Sequence, residues 1–271
     1  MAISDVAALD AIEVAAMADF FRAAPRHLRV AHDIEVRTLP EATLLLSRGI
    51  EPGVLFRRVA GLGASHAVTG AGLDAVLAPM RALRASFAVA MAPGADTGLL
   101  AGMLQERGLQ PGYAWMKFRR DCLPVPEVQT DLDIRTVGPE CAVPFGTVIQ
   151  EGFGLQPAIV PWAGSLVGRP GWCCVMAFDG ATPVAAGAVF IQGEHAWLGL
   201  GATLASHRRR GAQSGLLAHR LREVASHGAR AAVTETGERL PDKPGNSYRN
   251  IVRSGFTEAC LRQNYMAPAA G

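Results

Sequence analysis

Two kinds of apolar pattern follow one another in the second half of the chain. Residues 199–204 are small or apolar, as at the end of a buried strand. Leu217, Leu221 and Val224 then recur at i, i+4 and i+7, the spacing of one helix face. The pattern over residues 199–228 therefore predicts a strand, a basic turn and an amphipathic helix. The charged residues predicted for the other faces of this helix are Arg220, Arg222 and Glu223.

Similar patterns in the first half predict a mixture of helices and strands. An amphipathic helix is expected to end at Pro25, because proline does not continue a helix. Gly108 is expected to end a later helix, since glycine commonly follows the last helical turn. The predicted helices cover residues 5–23, 71–84 and 97–107, and the predicted strands cover 28–38, 42–47, 54–59, 87–91 and 112–119.

Residues 121–130 separate this half from the next. The stretch contains Pro124 and Pro126 and leads into a fresh strand, as linkers between domains commonly do. We therefore predict two domains, residues 1–123 and residues 131–271. The order predicted for the second domain is β-α-α-β-β-β-α-β-α-β. Its strands are predicted at 132–137, 172–178, 184–191, 195–203, 231–235 and 257–266, and its helices at 139–152, 158–167, from Gly211 onward and at 246–254.

Composition is that of an ordinary globular protein. Of the 271 residues, 49% are hydrophobic and 18% are charged, which allows a sizeable core. A formal net charge of +2 argues against a general nucleic-acid binder. No apolar run approaches the ~18 residues needed to cross a bilayer, and the acidic N-terminus lacks the positive start of a signal peptide. We expect a cytoplasmic protein that binds neither nucleic acid nor membrane.

Cysteines and histidines show no spacing typical of a metal site. The 5 cysteines include no CxxC pair, and the 7 histidines form no HExxH motif. Most of the thiols are interpreted as core residues. His219 and His227 fall on the helix after the basic turn and are interpreted as surface residues rather than ligands. We therefore predict no bound metal.

The basic turn before that helix has the chemistry of an anion site. A helix start offers unpaired backbone N–H groups and the positive end of the macrodipole. Gly211 has no Cβ to keep a phosphate away from the backbone, and the three arginines at 208–210 add forked donors. A phosphate or pyrophosphate cradle is the favoured interpretation. A solvated basic turn is the alternative.

The same residues carry a resemblance to a known family. Residues 208–212, Arg-Arg-Arg-Gly-Ala, resemble motif A of the GNAT acyltransferase superfamily, Arg/Gln-x-x-Gly-x-Gly/Ala, except that Gln213 stands at the last position. In that family the loop wraps the pyrophosphate of acetyl-CoA. The resemblance implies acetyl-CoA as a co-substrate. The cofactor-binding residues that it implies are Ala202, Thr203, Arg208, Arg209, Arg210, Gly211, Ala212, Gln213, Ser214 and Asn250.

A second stretch, residues 246–256, resembles the family's motif B helix with its closing Gly-Phe. The family often has a tyrosine one turn earlier that protonates the departing CoA thiolate, and this chain has Ile251 there. Asn250 is expected to bind the CoA arm, with helix capping as the alternative. The two motifs cover residues 131–267. They imply the GNAT fold, an α/β (α+β) architecture with a mixed, mostly antiparallel central sheet flanked by helices.

Acyl transfer to an amine needs a base, a polarised carbonyl and, in some enzymes, an acid. The resemblance places the polarising backbone N–H on the strand after Gly201, and Thr203 is the candidate. Glu235, at the end of the next strand, is the candidate base, although an ordinary loop carboxylate would fit the same pattern. Tyr265 on the last strand is the candidate for a relocated acid. The alternatives are Glu238 as the base and Tyr248 as the acid.

The first half is interpreted as a degenerate second GNAT-like unit, which would make the fold tandem. Residues 61–64, Gly-Leu-Gly-Ala, parallel residues 199–202 of the same sequence, each between an apolar strand and a helix. The first copy has no arginine turn, since residues 65–70 read SHAVTG, and it is not expected to hold CoA phosphates. Chance similarity between short glycine-rich stretches is the alternative.

Together these features predict an acyl-CoA-dependent N-acyltransferase that uses acetyl-CoA and acylates the amine of a small-molecule acceptor. A protein of another class is the alternative: a non-catalytic acyl-CoA-binding or sensing protein whose N-terminal half binds a partner. The absence of the usual tyrosine at position 251 keeps this alternative open. The sequence does not name the acceptor, and it is compatible with a homodimer.

Overall fold

The computed structural model describes residues 3–94, 97–241 and 245–268. Helices and strands alternate along both halves of the chain. The helices are α1 (Ile3–Arg22), α2 (Arg26–Ala31), α3 (Gly53–Phe56), α4 (Gly70–Ala82), α5 (Thr97–Glu106), α6 (Ala142–Phe153), α7 (Ile159–Gly164), α8 (Ala212–Ser226) and α9 (Asn246–Arg253). The strands are β1 (Glu35–Thr38), β2 (Thr43–Leu46), β3 (Arg58–Leu62), β4 (Phe87–Met91), β5 (Gln110–Asp121), β6 (Asp133–Thr136), β7 (Trp172–Asp179), β8 (Thr182–Gln192), β9 (His195–Thr203), β10 (Ala231–Gly237) and β11 (Thr257–Ala267).

The described residues group into two compact units. Among the described residues, unit 1 draws on 3–22, 26–94, 97–116 and 260–268, and unit 2 draws on 23–25, 117–241 and 245–259. Strands β5 and β11 are therefore each divided between the units. The predicted domains, residues 1–123 and 131–271, are continuous segments of the chain, whereas each unit combines separate segments. The domain limits therefore stay a prediction.

Unit 2 is built on strands in the order β5-β10-β9-β8-β7-β6. The pairs of β6 with β7, β7 with β8 and β8 with β9 are antiparallel, whereas β9 and β10 are parallel. Residues 184–190 of β8 are buried without interruption, which means that both faces of this strand are covered. Helices α6 and α8 both contact β8 and β9. Unit 2 therefore has helices packed on a mostly antiparallel sheet.

Unit 1 has strands in the order β1-β2-β3-β4-β11-β5. Strands β3 and β4 are parallel, and the pairs of β1 with β2, β2 with β3 and β4 with β11 are antiparallel. Helix α1 contacts β1, β2 and β3, and it carries buried acids. Glu13 accepts from Arg58 (2.9 Å) and Arg262 (2.6 Å), and Asp10 accepts from Arg262 (3.1 Å). The pairing of these charges makes their burial tolerable.

The expected fold class is confirmed: the chain is a mixed α+β protein with a mostly antiparallel sheet flanked by helices. Two local predictions are wrong. Residues 28–31 belong to helix α2 and not to a strand, and the strand there begins only at Glu35. Residues 54–56 lie in the short helix α3, and β3 begins at Arg58. Both errors concern short apolar runs, whose periodicity does not separate a strand from one helical turn.

None of the described helices is both long and apolar enough to cross a membrane.

Candidate active site

Strand β9 carries a β-bulge near its end. Its register with β8 shifts between Ala186 and Ala188, so that Leu200 and Gly201 both lie opposite Gly187. Leu200 has a left-handed backbone, with φ of 51°. A bulge bends the strand and takes backbone groups out of the regular ladder. The bulge therefore sets the path of the residues that the sequence predicted for the thioester.

Strands β9 and β10 pair only near their starts. The pairs join residues 195–197 with residues 231–233. Immediately after them, Thr234 Oγ1 donates to the carbonyl of Leu198 at 2.8 Å, so a side chain replaces the next ladder bond. Over the part of the chain that the structure describes, residues 199–203 have no paired strand on this side. An extended group that enters here can bond to the open strand edge.

Arg220 of α8 holds the bulge in place. Its Nη1 donates to the carbonyls of Ala188 and Gly199, both at 3.0 Å, and its Nε donates to Leu216 at 3.1 Å. The residue is 2% exposed, and a Cβ at Gly187 would lie 2.9 Å from its guanidinium carbon. Burial lowers the pKa of Arg220 to about 10, which still leaves the side chain charged at neutral pH. The strand bulge is thus fixed by a buried cation.

The prediction that Arg220 lies on a polar face of the helix is wrong. Arg220 follows Leu217 by three residues and precedes Val224 by four, so it belongs to the apolar stripe. That spacing is the signal by which its burial could have been found. An arginine at such a position is buried only where several acceptors meet its five donors.

The turn before α8 is fixed by Arg210. Its Nη1 donates to Asp179 at 2.6 Å, and its Nη2 donates to Asp131. Thr130 Oγ1 donates to the carbonyl of Arg210 at 2.8 Å. The guanidinium lowers the pKa of both carboxyls, and they raise the pKa of Arg210. Arg210 is therefore committed to two carboxylates and holds the turn in shape.

The backbone gives a further reason for glycine at position 211, the N-terminus of α8. Its φ is 81°, and an added Cβ would lie 2.9 Å from the carbonyl oxygen of Gln129 and 3.2 Å from Thr130. The glycine is thus required by the left-handed turn and by close backbone packing. It provides no side-chain cap for the first turn of the helix, whose N–H groups remain available to an anion.

Arg208 and Arg209 are exposed beside this helix start. In residues 3–94, 97–241 and 245–268, no carboxylate lies within ion-pair distance of either side chain. Gln213, the departure from the family pattern, donates from Nε2 to Thr203 Oγ1 at 2.9 Å and so ties α8 to the end of β9. Ala212 is buried and offers only its backbone. The predicted residues that lie on β9, on the turn or on the first turn of α8 are Ala202, Thr203, Arg208, Arg209, Arg210, Gly211, Ala212, Gln213 and Ser214.

Helix α6 covers the end of β9. A Cβ at Gly152 would lie 2.7 Å from Cβ of Ala202 and 3.5 Å from the backbone nitrogen of Thr203. The next residue, Phe153, keeps 48% of its surface exposed. Glycine at 152 therefore lets the helix lie directly on the predicted cofactor strand, with an exposed aromatic ring beside it.

The candidate base, Glu235, lies on β10 beside a buried lysine. Lys117 Nζ is 3.8 Å from Glu235 Oε2, and the two side chains are 0% and 6% exposed. The carboxylate and the lysine therefore form a buried pair of opposite charge. Lys117 was not singled out from the sequence, because an isolated lysine in an apolar strand carries no motif.

The remaining predicted residues, Tyr265 and Asn250, lie on other elements. Tyr265 belongs to unit 1, where it pairs with Val89 and is part of the apolar core. Asn250 lies on α9 and accepts a hydrogen bond from Arg253 of the same helix. Ile251 is buried, which accounts for an apolar residue in place of tyrosine. The catalytic and binding roles of Tyr265 and Asn250 stay predictions.

Unit 1 differs from unit 2 at the corresponding place. The helix start of α4 is capped by its own Thr69, whose Oγ1 accepts from the Gly72 N–H at 3.1 Å. The Glu41 carboxylate lies so near that a Cβ at Gly72 would be 2.6 Å from its Oε1. Strands β3 and β4 are still hydrogen-bonded to each other at their C-terminal ends, since Ala92 N–H donates to the Leu62 carbonyl at 2.9 Å. A carboxylate and a side-chain cap thus stand where unit 2 has exposed arginines.

Comparison with known proteins gave matches among solved structures. No family model matches the sequence, and no curated protein does. A GCN5-related N-acetyltransferase from Kribbella flavida is 20% identical over 93% of this chain and 96% of that chain, with a TM-score of 0.62. A GCN5-related N-acetyltransferase from Sphaerobacter thermophilus is 15% identical over 86% and 82%, with a TM-score of 0.58.

A tandem GNAT protein from the clavulanic acid biosynthesis pathway is also similar. It is 20% identical over 85% of this chain and 79% of that chain, with a TM-score of 0.57. At these identities the likeness concerns the fold and not the substrate. The described chain has the GNAT fold, the fold that motifs A and B predicted.

Proposed function

We propose that the chain is an acyl-CoA-dependent N-acyltransferase that transfers an acetyl group to the amine of a small molecule. One observation carries the proposal. The N-terminus of α8 has no side-chain cap, and Arg208 and Arg209 are exposed beside it. It follows, after a turn, strand β9, which is no longer paired with β10 beyond Trp197. An anionic pyrophosphate fits the helix start, and an extended arm fits the open edge of β9.

In this proposal the residues of unit 2 perform three tasks. The first-turn N–H groups of α8 and the two exposed arginines bind the phosphates. A backbone N–H near Thr203 donates to the thioester oxygen as negative charge develops there. Glu235 takes the proton of the acceptor ammonium, directly or through a water, and Lys117 lies beside its carboxylate. The amine nitrogen then bonds to the acyl carbon, the C–S bond breaks, and the nitrogen releases its second proton to solvent.

The leaving group does not require a tyrosine acid. An ordinary thiol has a pKa of about 8.5, so a thiolate leaves readily and collects its proton from solvent. Ile251 in the core is therefore compatible with turnover. Tyr265, which lies in unit 1, keeps its role as acid only as a prediction.

The experiment is a free-thiol assay with acetyl-CoA and a panel of small amines, read alongside calorimetric binding of CoA. Amine-dependent release of CoA supports the proposal. Saturable CoA binding with no release from any amine would favour the non-catalytic sensor. Absence of CoA binding would reject both. Longer acyl-CoA donors in the same assay test the assignment of acetyl as the transferred group.

A further inference from the structure

A group of side chains that could bind a metal lies in unit 2 on β7 and at the C-terminal end of α8, the end of the helix opposite the proposed phosphate site. Cys173 lies on β7, Glu223 lies on α8, and His227 follows the last turn of α8. One candidate ligand atom from each residue lies within 4.8 Å of the other two. The histidine was interpreted from the sequence as a surface residue of the helix, since the histidines show no compact metal-ligand spacing.

The structure points to a cation site at this group, and we propose that Cys173, Glu223 and His227 bind one zinc ion. Thiolate, imidazole and carboxylate are the ligands that zinc takes in proteins. Bond lengths of about 2.0–2.3 Å in a tetrahedron put ligand atoms about 3.3–3.8 Å apart. Even the widest pair, at up to 4.8 Å, therefore needs to close by only ~1.5 Å. Three protein ligands leave one position for water.

Local hydrogen bonds orient the proposed ligands. His227 Nδ1 lies 2.8 Å from the carbonyl of Glu223, so the ring is held beside the carboxylate-bearing residue. Thr136 Oγ1 donates to Glu223 Oε1 at 2.6 Å and lies 3.1 Å from His219 Nε2. Hydrogen bonds of this kind are the usual support of ligands at zinc sites.

The charges that the group can carry suit a cation. A divalent ion would replace the thiol proton and neutralise the carboxylate. By joining β7 to the C-terminal end of α8, it would stabilise the folded protein.

The test uses the full chain, stripped of metal with a chelator and titrated with Co²⁺ and then with Zn²⁺. We expect one equivalent of Co²⁺ to produce a thiolate charge-transfer band, zinc to displace it, and zinc to raise the melting temperature. Cys173→Ser should abolish the band, and His227→Gln should weaken zinc binding by about 10-fold or more. Cys141→Ser and His66→Gln remove a thiol and an imidazole elsewhere and should change nothing.

Several outcomes would overturn the zinc site. They are a wild-type spectrum without thiolate charge transfer, uptake of several weak equivalents, or a band that survives in Cys173→Ser. Circular dichroism checks that the serine variant is folded. If it is not, Glu223→Gln is used instead, and unchanged zinc affinity in that variant rejects the proposed ligand set.

Discussion

Arg220 shows how much of the β9 geometry depends on one side chain. Arg220→Met keeps the length and apolar character of the position but removes the donors to Ala188, Gly199 and Leu216. A buried carbonyl without a donor costs about 1–3 kcal/mol. We expect a loss of at least ~2 kcal/mol in the free energy of unfolding, measured by urea denaturation.

Arg222→Met is the matched control for Arg220→Met, because Arg222 lies on the same helix and is exposed. This variant should unfold like the wild type. Equal stability of the two methionine variants would show that the carbonyls of the bulge do not need Arg220.

The proposed role of Glu235 as the base is best tested in a variant in which Lys117 is also replaced. Glu235→Gln removes the carboxylate beside a fully buried ammonium, and breaking a buried pair costs about 3–5 kcal/mol. Lost activity in that variant alone would mix stability with chemistry. Adding Lys117→Met should restore much of the stability while kcat/KM stays ~10²–10⁴-fold below wild type, the range for loss of a general base.

The contrary result for Glu235 is equally specific. If the double variant regains both stability and near-normal kcat/KM with the same amine, Glu235 is a structural residue. Glu238, the alternative base at the end of the same strand, would then be the next residue to test.

At the scale of elements, the turn before α8 is held by ion pairs that depend on pH. Arg210 lowers the pKa of Asp131 and Asp179 below the ordinary 3.8, so their pairing stabilises the fold above that pH. This contribution is lost as pH falls through the lowered values. Arg210→Gln should therefore be less stable than wild type near neutral pH and equally stable in strong acid.

Acid and urea titrations of the two proteins at low salt measure this difference. High salt should reduce it, because the pairs are exposed. A difference that persists unchanged in strong acid would mean that Arg210 acts by packing and not by charge.

Some features of these elements could be predicted from the sequence, and others could not. The periodicity of residues 217–224 predicted helix α8, and the glycine at 211 predicted where it begins. The resemblance of residues 208–212 to motif A predicted the fold. The burial of Arg220 depends on carbonyls of β8 and β9. The ion pairs of Arg210 join Asp131, which precedes β6, to Asp179 at the end of β7. No local pattern encodes either arrangement. The short helix α3 was missed because four apolar residues satisfy either period.

At the scale of the whole molecule, both halves of the chain contain the same order of elements: two parallel strands connected by a helix, followed by a second helix and a third strand. The elements are β3-α4-β4-α5-β5 in the first half and β9-α8-β10-α9-β11 in the second. Unit 2 includes residues 117–122, which precede the predicted domain boundary. Phe118 is fully buried, and Cys122 N–H donates to the Arg230 carbonyl at 3.0 Å.

A fragment of residues 131–271 would lack these contacts, including the lysine beside Glu235. We expect it to lose cooperative unfolding and CoA binding, as followed by circular dichroism and calorimetry. A fragment that folds cooperatively and binds CoA like the full chain would show that the predicted boundary delimits an autonomous domain.

The central claim is that the start of α8 holds the phosphates of an acyl-CoA, and calorimetric titration with CoA tests it most directly. Arg208→Ala removes one charge-assisted contact, expected to cost about 1.5–3 kcal/mol, or roughly a 10- to 150-fold weaker affinity. The control Arg222→Ala removes an exposed arginine from the other end of α8 and should bind like wild type. Equal CoA affinity in wild type, Arg208→Ala and an Arg208→Ala/Arg209→Ala double variant would contradict the claim.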